Sequence, residues 1–527
     1  MTLVIACVLS TFSTAVMSYI SMATPIGPWI APTLVLLGFL IYSCSRKASI
    51  DSPLIYVTIS GSIGGILATA FGFSFPTLFF LDQTLFNSWM SSPVYFVSVV
   101  GILALAAGWY GMWIANVVEP VCIDQLDLPF PIGQMIYKMI IAQKQIRKAW
   151  ELVIGFVGTM LFCFLQDGLF FIRGIIPKAL TVCSSFSYYC FAMPVIRFDL
   201  WPMLWAIGFV TGHIIVVPLL VGSLSKILII KPIHALFFDT MTIMEFVLAF
   251  CSGMVVSGVL GNFMPNKVVC FFNKYNVSQA KSLCGKLPPI SRPLLCEGIL
   301  LLVFISSVLF YFGFSIVSQL YLLVFTFICT YQIIIIAGKI GLAQLGRFAT
   351  FVLVPALFIF NLDVIQITII STFVEATAGV AVDVLFGRKV VQLSGVSYGR
   401  AKKYQYIGLL VSCLVIGVVF WLLIRQFGLG SPELFAQRSQ ARQLLIDVKE
   451  FNYMVVLVGV IFGLILKRAK MSPMLVLGGL LMPLNITLGL VVGGLVSMLA
   501  KDREQWYPFW SGIFAANSIW MLIQAIF

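Results

Sequence analysis

Long apolar runs separated by short polar, basic or glycine- and proline-rich breaks set the pattern of this chain. The runs lie near 2–22, 27–45, 54–74, 92–116, 151–172, 179–196, 201–222, 240–261, 294–316, 317–337, 347–362, 364–385, 404–425, 451–466, 473–499 and 506–526. A helix needs about twenty apolar residues to cross a hydrocarbon core, so the pattern predicts an all-α polytopic integral membrane protein with about 12–16 transmembrane helices. Several runs are interrupted. Gly64-Gly65, Gly72 and Pro76 break the third, which predicts a re-entrant or broken helix. The run 179–196 is polar for a span (Ser184, Ser185, Ser187) and reads as interfacial. Two stretches, Gln134 to Trp150 and Pro432 to Glu450 with Arg438, Arg442, Asp447 and Lys449, read as amphipathic and surface-lying. Asp167 and Arg173 read as an ion pair near a span end.

The sharpest break is Leu128-Pro129-Phe130-Pro131-Ile132-Gly133, between an apolar run and the basic residues Lys138 to Lys148. Each proline removes a backbone donor and restricts the residue before it. Irregular backbone at membrane depth is tolerated only where protein buries it or it lines a wet cavity. Such discontinuities mark substrate sites in many carriers. The alternative is a proline-rich loop outside the membrane.

Composition narrows the class. Hydrophobic residues make up 61% of the 527 and charged residues 10%, against roughly a quarter charged in a soluble domain. Mean hydropathy is +1.07. The net charge of +13 does not point to nucleic acid. Its basic residues cluster in short loops (Arg46-Lys47, Lys138 to Lys148, Arg388 to Lys403, Lys467 to Lys470, Lys501 to Arg503), the pattern of cytoplasmic loops. The twelve cysteines lack C-x-x-C spacing, and two histidines argue against a dedicated metal cage. No metal site and no organic cofactor are expected. No G-x-x-x-x-G-K-[ST] element is present.

The chain contains a repeat. Pro202-Met203-Leu204, Gly208 and Gly222 recur at the same spacings as Pro473-Met474-Leu475, Gly479 and Gly493, offset by 271 residues. This predicts two halves, 1–261 and 294–527, around a central polar loop at 262–293 placed in the cytoplasm. Paired halves around a midplane site are a common transporter plan.

Four regions together resemble the oligopeptide transporter family, which includes peptide transporters and yellow-stripe-like metal-chelate transporters. They are L-P-F-P-I-G (Leu128 to Gly133), A-G-K-I-G-L-A-Q-L-G-R-F (Ala337 to Phe348), A-G-V-A-V-D-V-L-F-G-R-K-V-V-Q-L-S-G (Ala378 to Gly395) and the Gly/Pro-rich helix Pro473 to Leu495. Lys339 and Gln344 depart from that family's usual acidic residue and proline, and the block after Gly133 (Gln134, Met135, Tyr137, Lys138) lacks its usual carboxylate. The resemblance implies a secondary active importer in the membrane, typically proton-driven, carrying small peptides or, alternatively, metal chelates. The chain is short beside eukaryotic members, which implies a prokaryotic version in the inner membrane. An integral-membrane enzyme and a channel are less favoured alternatives, and homo-oligomer formation stays open.

Ionisable groups inside spans mark function by default. Glu375 is the first candidate for the coupling carboxylate. Asp383, two helical turns on, shares its face and reads as a partner of Arg388 and Lys389. Glu245 and His213 are further in-span candidates for coupling or substrate contact. Lys339 and Arg347, with Gly338, Gly341 and Gly346, suit an anionic group or, equally, cytoplasmic anchoring. Asn485 fits a broken helix offering a polar contact.

Overall fold

The structure is a computed structural model that describes residues 1–23, 29–44, 51–142, 146–169, 172–183, 186–188, 191–193, 196–237, 292–341, 345–431, 453–468, 484–500 and 503–526, and separate residues within 243–254, 343, 434–443, 471 and 476–480. The predicted central loop 262–293 lies almost wholly outside these, as does Glu245.

Nine helices among the described residues are long and apolar enough to cross a membrane, and Phe348–Ile359 and Thr487–Leu499 are shorter apolar helices. The chain is an all-α, multi-pass integral membrane protein. The helices used below are α1 (Thr2–Ala23), α2 (Ala31–Cys44), α3 (Asp51–Ser74), α4 (Thr77–Leu81), α5 (Gln83–Ser91), α6 (Pro93–Glu119), α7 (Pro131–Ala142), α8 (Ile146–Asp167), α9 (Pro202–Thr211), α10 (His213–Ser225), α11 (Lys231–Phe237), α12 (Arg292–Tyr311), α13 (Ile316–Ile340), α14 (Leu345–Ile359), α15 (Val364–Ser394), α16 (Tyr398–Phe427), α17 (Tyr453–Arg468), α18 (Leu484–Leu499) and α19 (Tyr507–Ile526).

Burial does not follow hydropathy. The most apolar stretch of α16 has a mean hydropathy of 2.9 and is 44% buried, whereas those of α3–α4 and α15, at 1.7 each, are wholly buried. Lipid tails are as apolar as leucine, so apolar faces gain nothing by turning inward, and polar groups gain partners. Accordingly α15 buries Ser371, Thr372, Glu375, Thr377, Asp383, Arg388 and Lys389. It packs against α3, α6, α7, α13, α14 and α16. A second cluster joins α8 to α19 and α9 and α10 to α18, and α7 touches both α15 and α19.

Three expectations are corrected. The run 179–196 is not a span: Ala179–Cys183 pairs antiparallel with Ile196–Asp199, enclosing the ladder Phe186–Tyr188 with Phe191–Met193. Its serines and β-branched residues favour a hairpin over an exposed helix. Residues 134–142 do not lie on a surface, since α7 buries Met135, Ile136, Met139 and Ile140. Nor does the described part of 432–450, where Leu434, Ala436, Ser439 and Arg442 are buried. An amphipathic stretch places its polar face against water or against a polar interior, and periodicity is the same in both cases.

Candidate functional site

The site grows from a helix break. Pro76 cannot donate a backbone hydrogen bond, and α3 ends at Ser74, leaving late carbonyls without helical donors. The Phe73 carbonyl accepts from Ser439 Oγ (2.8 Å) and Arg442 Nη1 (3.5 Å). The Arg438 guanidinium lies over the Phe73 ring, 3.9 Å from its centroid. Two cations therefore sit at the negative end of the α3 dipole. The Ala436 amide fastens this segment to the Met22 carbonyl at 2.8 Å.

Glu375 reaches the same place from α15. Its Oε1 pairs with Arg442 Nη2, and both side chains are buried. Its other oxygen, Oε2, is buried with no hydrogen-bond partner among the described residues, and so are Ser74 Oγ and Thr77 Oγ1 at the α3–α4 break. Gly346, in the first turn of α14, closes the remaining side. A Cβ there would lie 3.0 Å from Glu375 Oε1, 3.4 Å from Arg442 Nη2 and 3.8 Å from Arg438 Nη1. The site thus juxtaposes one carboxylate, half satisfied among the described residues, and two guanidinium groups.

Further along α15, Asp383 accepts from Ser62 Oγ at 2.6 Å. Its expected pairing with Arg388 and Lys389 does not occur, because those side chains lie at α15's far end and find other carboxylates. Arg388 Nε donates to Gln405 (2.6 Å), Nη1 pairs with Glu119 (3.3 Å) and Nη2 meets Asn116 (3.5 Å). Its guanidinium also stacks over Tyr398, 4.5 Å from the ring centroid, and Tyr398 donates to Glu119. Asn116 passes the network to Tyr406 (3.2 Å), which donates to Glu297. A cavity of about 510 Å³ opens beside this network, lined by Asn116, Glu119, Asp124, Arg388, Gln392 and Tyr398. Lys389 bonds Asp127 at 3.1 Å.

The proline break packs against protein at Leu128, Phe130 and Ile132. Asp127 and Phe130 adopt positive φ (41° and 43°), and Pro131 then starts α7. The Phe130 amide donates to the Gly338 carbonyl at 2.7 Å, and the Phe130 ring is fully buried. A Cβ at Gly338 would come within 2.9 Å of Leu128, and one at Gly133 within 2.8 Å of the Phe386 carbonyl. Leu128, Pro129, Phe130, Pro131 and Gly133 are therefore wedged between α13 and α15. Gly341 (φ 80°) ends α13 against Pro131. Lys339 sits in the last turn of α13 and forms no ion pair with a described residue. Arg347 lies in the first turn of α14, its side chain outside the described set.

The repeat is a packing unit. A Cβ on Gly208 would meet the Leu490 carbonyl at 2.1 Å, on Gly493 that of Trp205 at 2.0 Å, on Gly222 that of Val476 at 2.1 Å, and on Gly479 that of Leu219 at 2.0 Å. One residue number falls as the other rises, so 202–225 and 476–499 cross antiparallel. Shifting 205, 208, 219 and 222 by the repeat offset reproduces their partners' positions, which makes the contact set two-fold pseudosymmetric. The register places 213 opposite 485, where α10 and α18 begin. His213 and Asn485 are thus brought to one level. Asn485 donates to Asp199. Glycine permits this backbone approach where any side chain would block it.

Asp167 pairs with Lys178 at 2.8 Å and accepts from Trp520 at 2.8 Å, while the side chain of Arg173, its expected partner, lies outside the described set. No group of three or more metal-ligating side chains lies together among the described residues.

Residues 286–524 match the family described as OPT oligopeptide transporter protein. That stretch, a little under half of the chain, is similar to the oligopeptide transporter family. No curated protein gave a significant match. The matched part carries α12–α19, hence Glu375, Asp383, Arg388, Arg438 and Arg442. Helices α3 and α6, outside the matched part, supply Phe73, Glu119, Asn116 and Ser62 to the same sites. Sequence reasoning missed Arg438 and Arg442 as site residues, having placed them on a surface helix. Their spacing of four residues, with Ser439 between them, puts all three on one helical face, and that was the available clue. It also missed Asn116, Glu119, Tyr398 and Gln405, whose partners lie on other helices.

Proposed function

We propose that this transporter is a proton-coupled secondary carrier that brings small peptides or peptide-like solutes across the inner membrane, with Glu375 as the coupling carboxylate. The observation that carries this reading is the buried Glu375–Arg442 pair with one carboxylate oxygen unsatisfied. A buried ion pair broken by neutralising one partner leaves an uncompensated charge, so protonation of Glu375 changes what Arg442 must contact. That links a proton to a rearrangement between α15, the α3 break and the 436–443 segment. Asp383 and the level shared by His213 and Asn485 are further candidates for lining the path.

The second reading, transport of an anionic metal chelate, is favoured by Arg438 beside Arg442. Uptake into liposomes under an inward proton gradient tests both. Labelled di- to tetrapeptides that accumulate and are released by an uncoupler support the first reading. Accumulation of iron chelates alone supports the second. Uptake of either solute that ignores the uncoupler contradicts proton coupling.

A further inference from the structure

A carboxylate that occupies a cationic site in the resting protein is a competitor for any anion that the site receives. We propose that Arg442, with Arg438 beside it, is the acceptor for a free carboxylate on the transported solute, and that Glu375 fills this position when no solute is bound. The inference rests on the transporter reading above and adds the chemical class of the substrate.

The geometry points to a receiving site rather than a structural ion pair. Arg442 has an anchor besides Glu375, since its Nη1 donates to the Phe73 carbonyl (3.5 Å) that Ser439 also bonds. The Arg438 guanidinium is laid flat on Phe73, with Nη1 reaching the space beside Gly346 that also holds Glu375 Oε1. Arginine's planar fork suits a carboxylate in two-point contact. Glu375 satisfies only one of its oxygens there. Gly346, lacking a side chain, lets Glu375, Arg442 and Arg438 converge beside the first turn of α14, and the Ser74 and Thr77 hydroxyls, without partners among the described residues, lie at the α3–α4 break next to the Phe73 carbonyl.

The exchange balances. One proton adds to Glu375, the Glu375–Arg442 ion pair is lost, and the solute's carboxylate takes its place, so the site's charge is restored. Among the described residues, the charged groups around Glu375 are Arg442 and, across Gly346, Arg438. The α3 and α4 elements offer hydroxyls and a carbonyl. On α6, α7, α13 and α16 no charged side chain bonds it, and Asp383 is two turns away on α15.

The test uses the full-length protein in liposomes with three probes: alanyl-alanine, its C-terminal amide and iron(III) citrate. Loss of a charge-assisted hydrogen bond corresponds to roughly a 10- to 100-fold change. Wild type is expected to carry alanyl-alanine about 10- to 100-fold better than the amide, which assigns the carboxylate to a peptide terminus. Carriage of iron(III) citrate without alanyl-alanine assigns it to a chelate. In either case Glu375→Gln keeps exchange of that probe and makes its binding independent of pH. The charge-removing double variant Glu375→Gln/Arg442→Gln loses the preference for the carboxylate while remaining folded by thermal melt. Equal carriage of acid and amide by wild type overturns the inference and leaves the transporter reading standing. Failure of folded wild type to carry any of the three overturns that reading and the inference with it.

Discussion

Arg388, on α15, and Arg442, paired to α15 through Glu375, are both buried arginines, and they are satisfied in opposite ways. Their contact points on that helix, residues 388 and 375, lie about 20 Å apart along the axis. Arg388 bonds a glutamine, a glutamate and an asparagine from two other helices and stacks on Tyr398. Its network continues through Tyr406 to Glu297. Arg442 has one carboxylate and one carbonyl, and its carboxylate keeps an idle oxygen. A fully satisfied buried network fixes one arrangement. An incompletely satisfied pair costs free energy that a new partner recovers. The first arginine reads as architecture at the mouth of the cavity, the second as machinery at the helix break.

The contrast can be broken by substitution, and the largest effect is expected at Arg388. Arg388→Ala strands Glu119 in a partly buried site, and breaking such a pair costs about 3–5 kcal/mol. Thermal melts in detergent are expected to fall sharply, with transport lost only in proportion to folded protein. A stable Arg388→Ala protein with no transport would reverse the two assignments. Ser62→Ala comes next. It removes the hydroxyl donor from buried Asp383 and is expected to cost about 1–3 kcal/mol. The smallest effect belongs to Asp127→Asn. Asp127's side chain is 84% exposed, so its bond to Lys389 contributes less than about 1 kcal/mol and fades as salt rises. A larger, salt-independent loss there would mean that the positive-φ turn at 127–130 depends on that charge.

Much of the fold was legible. Apolar runs of spanning length identified the helices, and Leu128 to Gly133 announced a buried break. Glu375 stood out because a carboxylate in an apolar run is costly. What hydropathy did not convey is which helix is central, since α16 is more apolar than α15 and yet more exposed. Arg442 was hidden for a related reason. Its segment has the composition of a surface helix, and the carboxylate it meets is 67 residues away in sequence. Asp383 was assigned the nearest cations, Arg388 and Lys389. Helix geometry turned those toward Glu119 and Asp127 and left Asp383 to Ser62. The repeat was visible from five spaced residues, but its meaning as a pseudosymmetric glycine seam needed the carbonyl contacts.

The most direct measurement is internal acidification of liposomes, followed with a trapped pH dye, on adding an alanyl-alanine gradient to wild type and to Glu375→Gln. The account predicts peptide-dependent proton entry in wild type. It predicts that Glu375→Gln carries the peptide down its gradient with proton entry reduced to the level of empty vesicles. Peptide-driven acidification of equal size in Glu375→Gln would contradict it.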